Sequence, residues 1–279
     1  MFRRIAILVL FAAPPAAIAQ PANPPVRFKW AADQTLTYKV TQQTVVRETR
    51  LDEKTEKPVA TEARTSLALT KKWTAKAVDA GGTATLELTI TAMRNEFRRA
   101  DGSTLVRDSA NAEDAKDMAA YLNVPIVAVK IDPRGQLAEV KEAKAGSAAR
   151  LHAELPFRLT LPEAGPTAGQ KWDRAFTMKL DPPLGTGESY EFAQQYTAGA
   201  IKDGLLPVEV ATTLKDPPKA LAERVPLVPM LWEGQVYFNA VAGKYHAARL
   251  KVKAELPSHQ GEGTKFEYES TYAEDAVEK

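Results

Sequence analysis

A β-rich α+β fold, mostly antiparallel sheet with a few short helices and shaped as a curved sheet or half-open barrel of two related halves, is what this sequence predicts. Three observations lead there. Apolar and polar residues alternate with a period of two through most of the chain after Val26, the pattern of half-buried strands whose successive side chains point to opposite faces. Gly, Pro and Asx clusters interrupt the alternation at hairpin spacing. Helical spacing appears only in short stretches.

In the first strand Leu36, Tyr38 and Val40 share a face against Thr37, Lys39 and Thr41. In the second, Leu67, Leu69, Trp73, Ala75 and Ala77 oppose Arg64, Ser66, Thr70, Lys72, Thr74 and Lys76. Asp79-Ala80-Gly81-Gly82 supplies the turn, and a third strand places Leu86, Leu88, Ile90 and Ala92 on one face. Asp101-Gly102 marks a hairpin, because both residues tolerate positive φ. The period then changes: Ala112, Ala115, Met118, Ala119 and Leu122 predict a helix capped by Asn111, with Asp114 completing a box and Asn123 and Pro125 ending it. Val127, Val129 and Ile131 lead into Asp132-Pro133-Arg134-Gly135, a type I turn by its Pro and Gly positions, and Leu137 and Val140 lie on the return strand.

The second half runs in a similar order. Trp172, Phe176, Met178 and Leu180 share a strand face, Pro182-Pro183-Leu184-Gly185 makes a turn, and Tyr190, Phe192 and Tyr196 follow. Val208, Val210, Thr212 and Leu214 alternate, and Pro217-Pro218 opens a predicted short helix from Lys219 to Arg224 capped by Asp216. Trp232, Val236 and Phe238 lead to the Ala242-Gly243 turn, and the return strand puts His246, Ala248, Leu250, Val252 and Ala254 on one face. A last strand carries Phe266, Tyr268 and Tyr272 on one side. Each half thus reads as several strands, a helix, and a hairpin whose turn has the order apolar, Asx, spacer, Gly, at Val129–Gln136 and Val236–Lys244. That order predicts a duplication, with the first β-rich half at residues 28–146 and the second at 147–279.

The chain begins as an exported protein would. Met1-Phe2-Arg3-Arg4 is a positive segment, Ile5–Ala13 an apolar run, and Ala17-Ile18-Ala19 a small-residue cleavage site, which predicts a signal peptide over residues 1–19. The run is shorter than the roughly 20 residues a spanning helix needs, so no transmembrane segment is expected in the mature chain. Residues 20–27 form a proline-rich tail. Removing Arg3 and Arg4 from 37 basic residues leaves 35, equal to the 35 acidic ones. A neutral mature chain with no basic stripe excludes a nucleic-acid partner. There is no cysteine, which rules out disulfides, Cys-ligated zinc and an acylated N-terminal Cys.

Motifs that carry chemistry are missing. Ser109, Ser147, Ser189 and Ser258 lie in neither a G-x-S-x-G elbow nor an S-x-x-K sequence. His152, His246 and His259 form no H-E-x-x-H or other local ligand cluster, so no metal is assigned. Gly185-Thr186-Gly187 and Gly261-Glu262-Gly263 precede strands, where no helix N-terminus faces a phosphate. No catalytic residue and no cofactor is assigned.

The order of signal peptide, Leu36-x-Tyr38, a Trp-bearing strand, Asp108-Ser109 before a helix, and Leu161-Pro162 with Gly169-Gln170-Lys171-Trp172 resembles a family of uncharacterised exported bacterial proteins over most of the mature chain. The resemblance implies no catalytic residues. The strand-rich halves with interposed helices are also similar to periplasmic lipoprotein carriers, in which a curved sheet holds acyl chains against helices, although function does not follow from fold. Export, missing catalytic motifs and long apolar strand faces together predict a non-enzymatic protein of the periplasm or exterior. Its expected partner is an apolar small molecule or lipid, or another envelope protein, held on a concave face that includes Trp73, Ile90, Trp172, Phe176 and Phe238. The competing readings are a hydrolase using two converging carboxylates, which 35 acidic residues do not identify, and a structural scaffold.

Overall fold

The computed structural model describes residues 25–144, 148–182 and 184–277; the predicted signal peptide, residues 20–24 of the predicted tail, Ser147 and Pro183 lie outside the described residues. Neither Thr35–Leu51 (β1) nor the stretch after Pro58 in Pro58–Val78 (β2) contains Gly or Pro, and these strands run to 17 and 21 residues, well beyond the usual ~5–6. Ala84–Arg98 (β3) pairs with β2 and carries the short Thr104–Asp108 (β4) through the Asp101-Gly102 hairpin. Ala112–Asp117 (α1) leads to the hairpin Pro125–Ile131 (β5) and Leu137–Ala143 (β6). After Ala148–Ala153 (α2) come Lys171–Leu180 (β7), Glu188–Ala198 (β8) and Leu205–Leu214 (β9). A connection holding Leu221–Arg224 (α3) and a 3-10 segment Val225–Met230 leads to Glu233–Asn239 (β10), Lys244–Pro257 (β11) and Lys265–Ala276 (β12).

All twelve strands form one antiparallel sheet in the order β6-β5-β3-β2-β1-β12-β11-β10-β9-β8-β7, with β4 branching from β3. The first and last strands pair with each other near the middle of the sheet, from Tyr38 opposite Ala276 to Thr49 opposite Lys265. The sheet is open, and α2 contacts both of its edge strands, β6 and β7. Arg174 on β7 holds α2 by donating to the carbonyl oxygens of His152 (3.0 Å) and Ala153 (2.6 Å). A six-residue helix therefore fills the seam where a closed barrel would have a strand pair.

Local expectations change at four places. Thr91 is an extra residue opposite the Thr70/Lys71 step, so Ala92 faces outward and is exposed instead of joining Ile90. A second bulge leaves His246 unpaired between Tyr245 opposite Phe238 and Ala247 opposite Tyr237, and Tyr245 takes the inward place. Asn111 caps α1 as expected by accepting from Glu113 N and Asp114 N, but Asp114 reaches back to Asp108 N, and the helix stops at Asp117 so that Met118 can be buried. In α3 the N-cap is Ala220 and not Asp216.

The inward face is covered from within by the chain itself. Between α2 and β7 the segment 155–162 crosses the concavity with Leu155, Phe157, Leu159 and Leu161 buried. Phe157 is the hub, with ring centroids 5.4–5.7 Å from Phe28, Trp30, Trp73 and Tyr245. The two matching hairpin turns close one end of the concavity on the N-terminal segment: Phe28 N donates to Pro133 O (2.8 Å) and Lys29 N to Gly243 O (2.9 Å). These contacts need glycine. At Gly135 (φ 84°) a Cβ would lie 2.6 Å from Leu159 O, and at Gly243 (φ 64°) 2.7 Å from Arg27 O. Gly135→Ala is expected to cost at least about 2 kcal/mol, from left-handed strain plus the clash with fixed backbone. Urea unfolding of the variant would show it, and a loss under about 0.5 kcal/mol would mean that the turn does not bear on the crossing segment.

Candidate ligand-binding cavity

Lys71, Glu274 and three tyrosines lie together on the mostly apolar inner face. Lys71 lies directly opposite Tyr38, and Glu274 opposite Val40, so Lys71 and Glu274 sit diagonally across β1. Tyr272 is two residues from Glu274 and shares its face. The Lys71 ammonium lies 2.7 Å from Glu274 Oε1, a close ion pair whose direction is not that of a hydrogen bond. The hydroxyls of Tyr272 (2.5 Å) and Tyr245 (3.0 Å) donate to Oε2, and Tyr38 donates to the Tyr245 carbonyl (3.1 Å). Burial, followed by the charge of Glu274, raises the hydroxyl pKa of all three tyrosines well above the usual value, so they remain donors.

The crossing segment adds a cation to this group. Arg158 has φ 51°, a conformation that a non-glycine residue rarely adopts. Its guanidinium lies 4.4 Å over the Tyr272 ring and 5.7 Å over that of Trp232. Burial works against its charge, but Tyr272, Glu154 and Glu274 outweigh that effect and raise its pKa. Glu154, on the turn after α2, is shared by Arg150 at 3.5 Å and Arg158 at 3.6 Å.

Between these groups the sheet and the α2 region leave a cavity of about 340 Å³. Its apolar walls include Trp73, Leu88, Ile126, Val127, Leu151 and Leu155, and its charged lining is Lys71, Arg150, Arg158 and Glu154. The Trp73 indole N–H is buried without an acceptor among the described residues. A second cavity, about 570 Å³, lies between the β7–β8 turn, the α3 connection and the far ends of β1 and β12. There Glu48 meets Arg50 (2.8 Å) and the buried His259 (3.1 Å), while Glu188 and Glu223 share the lining. Hydrogen bonds from Arg50 and His259 overcome partial burial and lower the Glu48 pKa. Among the described residues no three His, Asp or Glu side chains gather as metal ligands, and no helix is long and apolar enough to cross a membrane.

Of the five residues proposed from sequence, Trp73 lines the smaller cavity. Ile90 packs beside the core and bridges Leu122. Trp172 stacks on Tyr196 and donates its indole N–H to Thr160 O (2.6 Å), which ties down the crossing segment. Phe176 stacks on Phe192, and Phe238 is wholly buried with its ring edge-on to Phe28 at 4.8 Å. Lys71, Glu274 and Arg158 were missed. Two of them left a trace in the sequence: Lys71 interrupts the odd-numbered apolar series Leu67, Leu69, Trp73, Ala75, and Glu274 extends the even-numbered series Phe266, Tyr268, Tyr272. A charge at apolar parity is the signal that would have found them.

No protein-family model matches the chain, and no curated protein matches it in sequence. Among solved structures it is similar to one concerning lipid–protein interactions in lipovitellin, with 12% identity and a TM-score of 0.45 over 91% of this chain. The match spans only 25% of that chain, so this protein corresponds to a quarter of its length. It is also similar to DynF from the dynemicin biosynthesis pathway of Micromonospora chersina, with 9% identity and a TM-score of 0.21 over 97% of this chain and 95% of the other. Both overlays are loose.

Proposed function

We propose that this protein is an exported, non-enzymatic binding protein that holds an apolar small molecule, or the apolar part of an envelope component, in the cavity between sheet and α2. The observation that carries this reading is the cavity itself. The concave face is not packed solid: a volume of about 340 Å³ remains beside Trp73, Leu88 and Val127, within the range of roughly 300–1,000 Å³ typical of ligand sites. Apolar walls with a few convergent polar groups are the usual composition of such sites. Export to the periplasm or exterior rests on the leader, Arg3-Arg4, Ile5–Ala13 and Ala17-Ile18-Ala19. A duplication is supported by the strand order, since β1-β2-β3, a helix-bearing connection and β5-β6 recur as β7-β8-β9, a helix-bearing connection and β10-β11.

The test is a titration of the mature chain with the uncharged fluorescent probe N-phenylnaphthylamine. Saturable binding in the micromolar range is expected, with most of it lost in Leu151→Trp, whose indole would occupy the cavity. Probe fluorescence that stays at the buffer level, or binding unaffected by Leu151→Trp, would defeat this reading.

A further inference from the structure

We propose that the occupant of this cavity is an amphiphile with a single anionic head, a carboxylate or a phosphate monoester, bound by Arg158 and Lys71 with its chain along Trp73, Leu88 and Val127. The proposal rests on the ligand-binding reading above and specifies its chemistry. The charge lining the cavity is unbalanced, because Lys71, Arg150 and Arg158 face it with Glu154 as the only carboxylate in the lining among the described residues. The second nearby carboxylate, Glu274, lies behind Lys71, and both its oxygens are engaged, one by the ammonium and one by two tyrosine hydroxyls.

The Arg158 guanidinium also lacks a carboxylate at normal ion-pair distance. Charge-assisted N–H···O contacts normally close to about 2.7–2.9 Å. Glu154 instead stands 3.5 Å from Arg150 and 3.6 Å from Arg158. Arg158 has five N–H donors to satisfy, and its half-buried side chain, 17% exposed, presents them to the cavity. One further oxyanion between Arg158 and Lys71 would supply an acceptor at ion-pair distance. The same residue carries the positive φ, so backbone strain and a half-buried cation whose carboxylate partner stands off at 3.6 Å coincide. Strained residues of this kind gather at ligand sites. Burial of the chain against Trp73 and its neighbours then adds apolar area without a polar cost.

The experiment compares four ligands of one chain length by calorimetry on the mature protein: decanoate, decyl phosphate, decanol and decylamine. Decanoate and decyl phosphate are expected to bind about tenfold or more tighter than decanol, with decylamine weakest, since hydrogen bonds to a charged group are stronger than those between neutral groups. Arg158→Gln should bring the decanoate-to-decanol ratio close to one. Arg150→Gln, on an exposed helix position that tolerates substitution, should lower decanoate affinity a few-fold and leave decanol unchanged. Equal binding of all four heads, or a preference for decylamine, overturns the anionic head while the ligand-binding reading stands. Failure of all four ligands together with N-phenylnaphthylamine overturns both.

Discussion

Phe157→Ala is expected to destabilise the protein by about 3–5 kcal/mol, the cost of a buried aromatic truncated where the surroundings cannot collapse. The ring is wholly buried and touches aromatic side chains from three separate parts of the chain: Phe28 and Trp30 in the N-terminal segment, Tyr38 and Trp73 on the central strands, and Tyr245 on β11. Each of those partners is itself packed against sheet, so the void would persist. Urea unfolding followed by tryptophan fluorescence measures the loss. Leu184→Ala is the control, because Leu184 is 61% exposed and its truncation should change stability by less than about 0.5 kcal/mol. A Phe157→Ala loss no larger than that of Leu184→Ala would mean that the crossing segment is only draped over the sheet.

The second large effect concerns the ion pair at the base of the cavity. Lys71→Met is expected to cost about 3–5 kcal/mol, because it leaves the Glu274 carboxylate buried without its counter-charge. Glu274 is 1% exposed at the side chain and Lys71 14%, so the carboxylate has less access to water than the ammonium. Glu274→Gln should therefore cost less than Lys71→Met, and its amide oxygen still accepts from Tyr245 and Tyr272. The double variant Lys71→Met/Glu274→Gln should recover most of the Lys71→Met loss, since no charge is then stranded. A double-mutant cycle by urea denaturation checks this, and strictly additive losses would show that the pair is solvated and uncoupled. The pair thus ties stability to the same group that gives the cavity its positive excess.

Much of the fold was legible. The inward rows on β7, β8 and β9 match the expected apolar faces, from Trp172, Phe176, Met178 and Leu180 to Val208, Val210 and Thr212. The Asp101-Gly102, Asp132–Gly135 and Ala242-Gly243 turns occur where turn chemistry places them. The departures at Ala92 and His246 share one cause. A bulge adds a residue to one strand only, and alternation within that strand carries no record of its partner's register. The site was less legible for a related reason. Phe238 and Trp73 both show apolar parity, yet one lies in the solid core and the other lines a cavity. Arg158 sits at the opposite parity to Leu155, Phe157, Leu159 and Leu161, so alternation predicts a side chain off the apolar row and gives no sign that it lines the cavity.

By itself the sequence determined which side of each strand is dry, where the chain reverses, the balance of charge and the absence of cysteine chemistry, because these depend on residues within a few positions of one another. The tertiary structure alone decided that β1 pairs with β12, that α2 fills the seam between the sheet edges, and that residues 155–162 cover the dry face incompletely. Those features depend on contacts between residues far apart in the chain. A period of two specifies a face that must be covered, but packing across the whole molecule selects what covers it and where a cavity is left.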